Sequence, residues 1–292
     1  MTTIDAAHNT IPAPATGLDG MPLAISELTT EELASLIERG GAVALLPVGS
    51  IEPHGPHLPL STDVVLSDEA CRRAALSLRA SGRPAAIAAS IPYGVTRYAR
   101  GFKGAIGVSA ETLIALVSEV VRAHLDDGFE HVAVVNNHLE PAHVAALAQA
   151  VAAVAGERGP EHVSFPNQLD KRWARTLTDE FKRGDCHAGC YETSLVLAAK
   201  NELVREGVAR ELPTLAVSLA SAIKAAQGGE VTFAGIGMSR AYTGAPKDAS
   251  PREGDASYGK LVDMIVTEIR EHLDVQDDTS QGDVPQIVRS PQ

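Results

Sequence analysis

The chain has 292 residues, 45% of them hydrophobic and 21% charged, the balance of a globular protein near the upper limit for one hydrophobic core. Its formal net charge of −12 excludes a nucleic-acid partner, because phosphate contacts need clustered lysine and arginine and no such stripe occurs. No apolar run reaches the ~18–20 residues of a membrane span, no basic start and apolar stretch reads as a signal peptide, and three cysteines, Cys71, Cys186 and Cys190, make no disulfide scaffold, so the expectation is a cytoplasmic protein without a membrane partner.

Residues 1–22, rich in Pro, Ala, Thr and Gly without periodicity, read as a flexible arm, and 276–292 as a flexible tail. A single domain over 23–275 lies between them. Thr29 to Glu32 has the form of a capping box and opens a helix to about residue 38, closed by Gly40-Gly41. An apolar strand is expected over 42–48, a helix over 64–79 and a strand over 85–91. Ser109 is placed to cap a helix over 110–127. HVAVV (131–135) reads as a second buried strand, and Pro141 as the first turn of a helix to 154. A short strand over 163–165, a polar helix over 171–182, an apolar helix over 192–200 and a long closing helix over 255–273 complete the order. Strands alternating with helices predict a mostly parallel sheet covered on both faces.

The chemistry concentrates where two of these strands end. VGSIEPHGPHLPLSTD (48–63) holds Glu52, His54, His57 and Asp63 among prolines that forbid a helix interior. In extended backbone Glu52 and His54 project to one side, and Asp63 can return to the same spot. The second strand runs into Asn136-Asn137-His138-Leu139-Glu140, where the spacing recurs with imidazole first. Each strand end offers an imidazole and a carboxylate, with Asp63 as a fifth ligand. Such a set suits two divalent ions sharing the aspartate, along the sheet edge where ligands bind in parallel α/β folds. His57 reads as a group supporting a ligand or the loop, and His143 as packed or solvent-facing. His124, His131 and His162 read as structural. His187 and Glu192 stand in DCHAGCYETS, a glycine turn entering a helix, where the carboxylate could also serve as a cap. Arg97, Tyr98, Arg100 and Lys103 form a basic loop.

PVGSIEPHGPHLPLSTD (47–63), NNHLEPAHV (136–144) and HAGCYETSLVLA (187–198), with weaker IPYG (91–94) and GFKGAIGVSAETL (101–113), resemble the creatininase (creatinine amidohydrolase) family from about residue 25 to 275. The resemblance implies a three-layer α/β/α sandwich with a mostly parallel central sheet, two divalent ions (Zn2+ and/or Mn2+), a small-molecule substrate and a homohexamer. By motif it implies Glu52, Asp63 and His138 on one ion and His54, Asp63 and Glu140 on the other. It makes His187 the acid/base, with Glu192 orienting it, and Glu140 a further member of the catalytic set. The implied reaction is hydrolysis of a C–N bond in a small cyclic amide through a metal-bridging hydroxide. The alternatives are a deformylase or small-peptide hydrolase of the same family, a metal-dependent isomerase or lyase, and an assembly protein keeping the fold. Leu139 stands where creatininase has an aromatic residue, Cys186 where it has an acid, and Cys190 where many members have Glu. Ala105 and Gly107 break the family's Gly-Thr run, which leaves creatinine itself open as substrate.

Overall fold

A computed structural model describes residues 20–226 and 231–280, with side chains to residue 274. Four parallel strands, β1 (Val43–Val48), β2 (Ala85–Ile87), β3 (His131–Asn136) and β4 (Val163–Ser164), form one sheet in the order β2-β1-β3-β4. Ten α-helices among the described residues surround it. They are α1 (Thr30–Ile37), α2 (Thr62–Ala80), α3 (Ala110–Asp126), α4 (Pro141–Arg158), α5 (Lys171–Ala174), α6 (Asp179–Arg183), α7 (Cys190–Lys200), α8 (Glu206–Glu211), α9 (Leu219–Ala225) and α10 (Pro251–Ser280).

The period-two alternation of the central strands divides the core. Val43 and Leu45 of β1, with Ala133 and Val135 of β3, pack under α2, α7 and α10. Ala44, Leu46 and Val48, with Val132 and Val134, point the other way under α1, α3 and α4. Successive side chains of a strand leave on opposite faces, so two fully buried strands generate two cores and three layers. The expected α/β/α sandwich is the fold observed. No helix among the described residues is long and apolar enough to cross a membrane.

Local signals set most boundaries. Thr29 and Glu32 form the reciprocal capping box, and the Ser109 side chain accepts from the Thr112 amide at the start of α3. The helix expected over 171–182 is two helices. Thr178 adopts extended backbone and accepts a hydrogen bond from the Phe181 amide, restarting the chain as α6, while Leu177 and Phe181 are drawn into the core. The strand expected over 85–91 stops at Ile87. The Ala88 amide still donates to the Leu45 carbonyl; the chain leaves the ladder at 89–90, where the Ser90 hydroxyl donates to Asp68, and rejoins β1 through the pairing of Ile91 with Val48.

The arm expected over 1–22 falls outside the described residues up to 19. From Met21 the chain is tied down, because Arg79 donates to the carbonyls of Met21 and Pro22. In the expected tail, 281–292 lie outside the described residues, and α10 runs on to Ser280.

The register of β1 and β3 is what positions the site. Val43 pairs with His131 and Val48 with Asn136, so both strands end level. The segments that follow, Gly49–Asp63 and Asn137–Glu140, leave the same edge side by side.

Candidate metal centre

Each side chain reaches the site for a local reason. Glu52 precedes Pro53, which enforces extended backbone, and its amide donates to the Leu60 carbonyl. Gly55, at φ +65°, turns the loop and donates to the Ala241 carbonyl. Asp63 lies in the first turn of α2, where the helix dipole favours a carboxylate. That turn presses on the end of β1 at Gly49. A Cβ there would sit 2.8 Å from the Val64 nitrogen and 2.9 Å from the Asp63 carbonyl carbon, so only glycine lets Asp63 approach. At the other strand end Asn136 holds His138 by its main chain, accepting from the His138 amide and donating to its carbonyl.

The result is a buried ring of acids and imidazoles. Asp63 Oδ1 lies 3.0 Å from His54 Nε2, and Oδ2 lies 3.0 Å from His138 Nδ1. Glu52 Oε1 stands 3.5 Å from His138 Nδ1, 3.8 Å from His187 Nδ1 and 4.0 Å from His54 Nε2. Glu192 Oε2 is 3.6 Å from His54 Nε2. Three groups bring their ligand atoms within 4.8 Å of one another, namely Glu52–Asp63–His138, His54–Asp63–Glu192 and Glu52–His54–His187. Asp63 belongs to the first two.

The tautomer of each imidazole is set from outside the ring of ligands. His54 donates through Nδ1 to the Glu52 carbonyl at 3.0 Å, His138 through Nε2 to the Val95 carbonyl at 2.9 Å, and His187 through Nε2 to the Pro53 carbonyl at 3.0 Å. In all three the other nitrogen faces the carboxylates. This is how metal-binding histidines are oriented. His54 Nε2 and Asp63 Oδ2 are buried without a hydrogen-bond partner, the signature of groups made for an ion. Three carboxylates and imidazoles of this kind suit zinc or manganese.

Charge follows the geometry. Burial disfavours the His54 cation, yet Asp63, Glu192 and Glu52 override it and raise the imidazole to about 10. The Asp63 carboxyl is buried too, but His54 and His138 hold it well below the usual range. Burial, with Asp63 and Glu52 beside it, pushes Glu192 up to about 8 against the pull of His54. Burial and His54 depress His187 to about 4. A protein that brings these charges together asks for cations.

Glu140, expected in the second ligand set, stands beside it. Its Oε2 accepts from the amides of Arg97 (2.7 Å) and Tyr98 (3.0 Å), while Oε1 is buried without a partner. None of the three groups includes it. Glu192, expected to orient His187, is the carboxylate that meets His54, and its Oε2 also accepts from the Ala188 amide at 2.7 Å. His57 contacts Thr193 at 2.8 Å through Nε2 and supports the loop. His143 is fully buried; it donates to Asn136 and accepts from the Val95 amide, which ties the 94–96 loop to the second strand end. His131 and His162 bind main-chain carbonyls away from the site, and His124 packs on Phe129.

Residue patterns did not single out Thr96, whose hydroxyl donates to Glu52, or Gln168, which bridges Asn136 and Asn137 to the Tyr191 hydroxyl. Neither carries a motif. Only Asn136, next to the His138 motif, had a signal in its position. Above the ring lies a small cleft walled by Tyr98, Leu139, Cys186, Leu219 and Phe233. The His187 ring lies between His54 and Phe233, with centroids 4.5 and 4.4 Å away.

Comparisons with known proteins bear on the family and the fold. The family model described as "Creatininase: Creatinine amidohydrolase" matches residues 26–269. The mycofactocin precursor peptide peptidase of Mycobacterium ulcerans is 31% identical over 236 residues, covering 77% of this chain and 83% of that protein. The creatinine amidohydrolase of Pseudomonas putida is 28% identical over 121 residues, 40% of this chain and 45% of that protein. A crystal structure of creatinine amidohydrolase superposes with a TM-score of 0.69 at 22% identity, covering 87% of this chain and 98% of that one. A manganese form of creatininase does so at 0.65, with 22% identity over 86% and 98%.

Proposed function

The chain belongs to the creatininase (creatinine amidohydrolase) family, and from that premise we propose that it is a divalent-metal hydrolase of amide-type C–N bonds. The observation that carries this reading is Asp63, whose two carboxylate oxygens each lie 3.0 Å from the free nitrogen of a different histidine. Glu52, Asp63 and His138 would hold one ion, and His54, Asp63 and Glu192 the other. Bound zinc or manganese polarises a carbonyl and makes water nucleophilic near neutral pH.

The chain's own residues supply the rest. His187 spends Nε2–H on Pro53, so Nδ1 is the atom that exchanges protons with the reactants. Burial keeps this ring neutral. Nδ1 takes a proton from the attacking water and returns it to the leaving nitrogen as the C–N bond breaks and a C–O bond forms, giving an acid and an amine. Glu140 Oε1, buried and unpartnered beside the ring, accepts a hydrogen bond from a substrate N–H or serves as an added ligand. Tyr98, Leu139 and Phe233 keep bulk water from the reacting atoms.

The cleft speaks to substrate charge. Among the described residues no lysine or arginine lines it, while Glu52, Asp63, Glu140 and Glu192 do. With two divalent ions bound the four carboxylates are offset, and away from the ions no cationic side chain lines the cleft to pair a substrate anion, so neutral small amides are favoured. A second reading, a short peptide as substrate, is supported by coverage, since the peptidase relative matches 77% of the chain and the creatinine amidohydrolase 40%. Manganese- or zinc-loaded protein incubated with creatinine, hydantoins, lactams, formamides and short peptides tests both. The expected result is turnover in which the products together weigh one water more than the substrate. Products whose summed mass equals that of the substrate mean isomerisation or elimination, and overturn the reading. We also propose the homohexamer that the family resemblance implies, with light scattering as its test.

A further inference from the structure

Glu180 has no place in the ligand set or in any motif, yet this acid is 7% exposed and is built into the far side of the site. It sits in the short α6, whose start is fixed by Thr178. Its two oxygens tie two separate stretches of chain. Oε2 accepts from the Tyr191 amide at 2.7 Å, and Oε1 from the Ala245 amide at 2.8 Å.

Both stretches touch the reacting groups. Tyr191 is in the first turn of α7, one residue before Glu192. The residue that begins this helix, Gly189, supplies no side-chain cap, so α7 is capped in trans by Glu180. Next to it, Ala188 holds φ +50°, a left-handed conformation that costs a residue with Cβ about 1 kcal/mol or more. The Ala188 amide is bound by Glu192 Oε2. In the other stretch, two residues before Ala245, the Thr243 amide donates to the His187 carbonyl at 2.9 Å. His187 is therefore held from both sides by segments that meet at one carboxylate.

The sequence makes room for that carboxylate at two glycines. A Cβ on Gly189 would lie 2.7 Å from Glu180 Oε2, and one on Gly244 (φ +73°) would overlap Oε1. Two residues without side chains, 55 positions apart in sequence, converge on one buried acid.

We propose that Glu180 is a positioning residue of the centre, setting Glu192 against His54 and fixing the His187 turn. The inference rests on the two-ion reading above, and it predicts an asymmetry. Glu192 belongs to the trio with His54, while Glu52 and His138 are carried by the segments that leave β1 and β3 and do not depend on α6. Losing Glu180 should weaken one ion and spare the other.

The test uses full-length protein stripped by chelator and titrated calorimetrically with Mn2+ alone, for wild type, Glu180→Gln and Glu180→Asp. Circular dichroism and thermal melting run alongside. Gln keeps the volume but turns an N–H2 toward one of the two amides, and Asp keeps the charge but falls short. Wild type is expected to take up two ions. Both variants are expected to bind one ion as wild type does and the other at least tenfold more weakly. Their kcat should drop more than KM changes. Should Gln fail to fold, Asp alone carries the comparison. Variants that bind both ions within twofold of wild type, or that weaken both equally, overturn the positioning role, even if the melting temperature falls. A wild-type chain that binds fewer than two ions overturns the two-ion reading itself, which separates the two failures.

Discussion

At the residue scale the weight falls on Asp63 and His187. Asn at position 63 offers one oxygen and one N–H2, so one of the two histidines would face a donor. Asp63→Asn is expected to lose both ions by elemental analysis while staying folded. His187→Ala should behave in the opposite way. Ion content should stay, because Glu52, Asp63, His138, His54 and Glu192 remain, and kcat should fall roughly a hundredfold to ten-thousandfold. Four of the six acids and imidazoles of the ring, Glu52, His54, Asp63 and His138, were legible as candidates from two-residue spacing and motif, and the other two, His187 and Glu192, from a glycine turn. The nearness of Glu192, rather than Glu140, to His54 was not. Both follow a histidine closely in sequence, but Pro141 holds Glu140 at the cap of α4, where the Arg97 and Tyr98 amides take one oxygen. Glu192 enters instead from a helix on the other side of the sheet. Spacing along the chain carries no record of that approach.

At the element scale the decisive contact is between the end of β1 and the start of α2. Gly49→Ala would drive a methyl group to 2.8 Å from the Val64 nitrogen, and backbone cannot yield as a side-chain tip does. Overpacking of this kind costs about 1–3 kcal/mol. The expected outcome is a lower melting temperature together with weaker ion binding, since Asp63 moves with the helix turn. Ala at a glycine that meets nothing, such as Gly156 within α4, should leave ion binding unchanged. Strand and helix order was readable because apolar periodicity and caps are local. The break between α5 and α6 was less so, because the polar run over 171–182 continues through it and only the burial of Leu177 and Phe181 decides where the chain bends.

At the scale of the whole molecule, acid resistance is set at the end of the sheet away from the centre. His131 begins β3, fully buried, with Nδ1–H on the Glu161 carbonyl (2.6 Å) and Nε2 against the Ser164 hydroxyl (2.7 Å). Burial, with His272 and His162 nearby, depresses its pKa from 6.5 to about 4, against the pull of the Glu161 carbonyl. The folded state therefore holds the neutral form while the unfolded chain takes up a proton near 6.5. The stability this provides is complete above pH 6.5, drains as pH falls, and is gone below about pH 4. The limit is about 3 kcal/mol. Urea unfolding between pH 7 and 4.5 should show a flatter acid limb for His131→Gln than for wild type.

The four acids of the cleft, with no lysine or arginine among its lining residues, have a thermodynamic consequence beyond turnover. Anything that binds only the folded form adds to its stability in proportion to the logarithm of its concentration, about 4 kcal/mol at a thousandfold excess over Kd. Scanning calorimetry should find the chelated chain melting well below the zinc- or manganese-replete one. On that expectation, the fraction of folded molecules would follow the supply of the ion as well as the temperature.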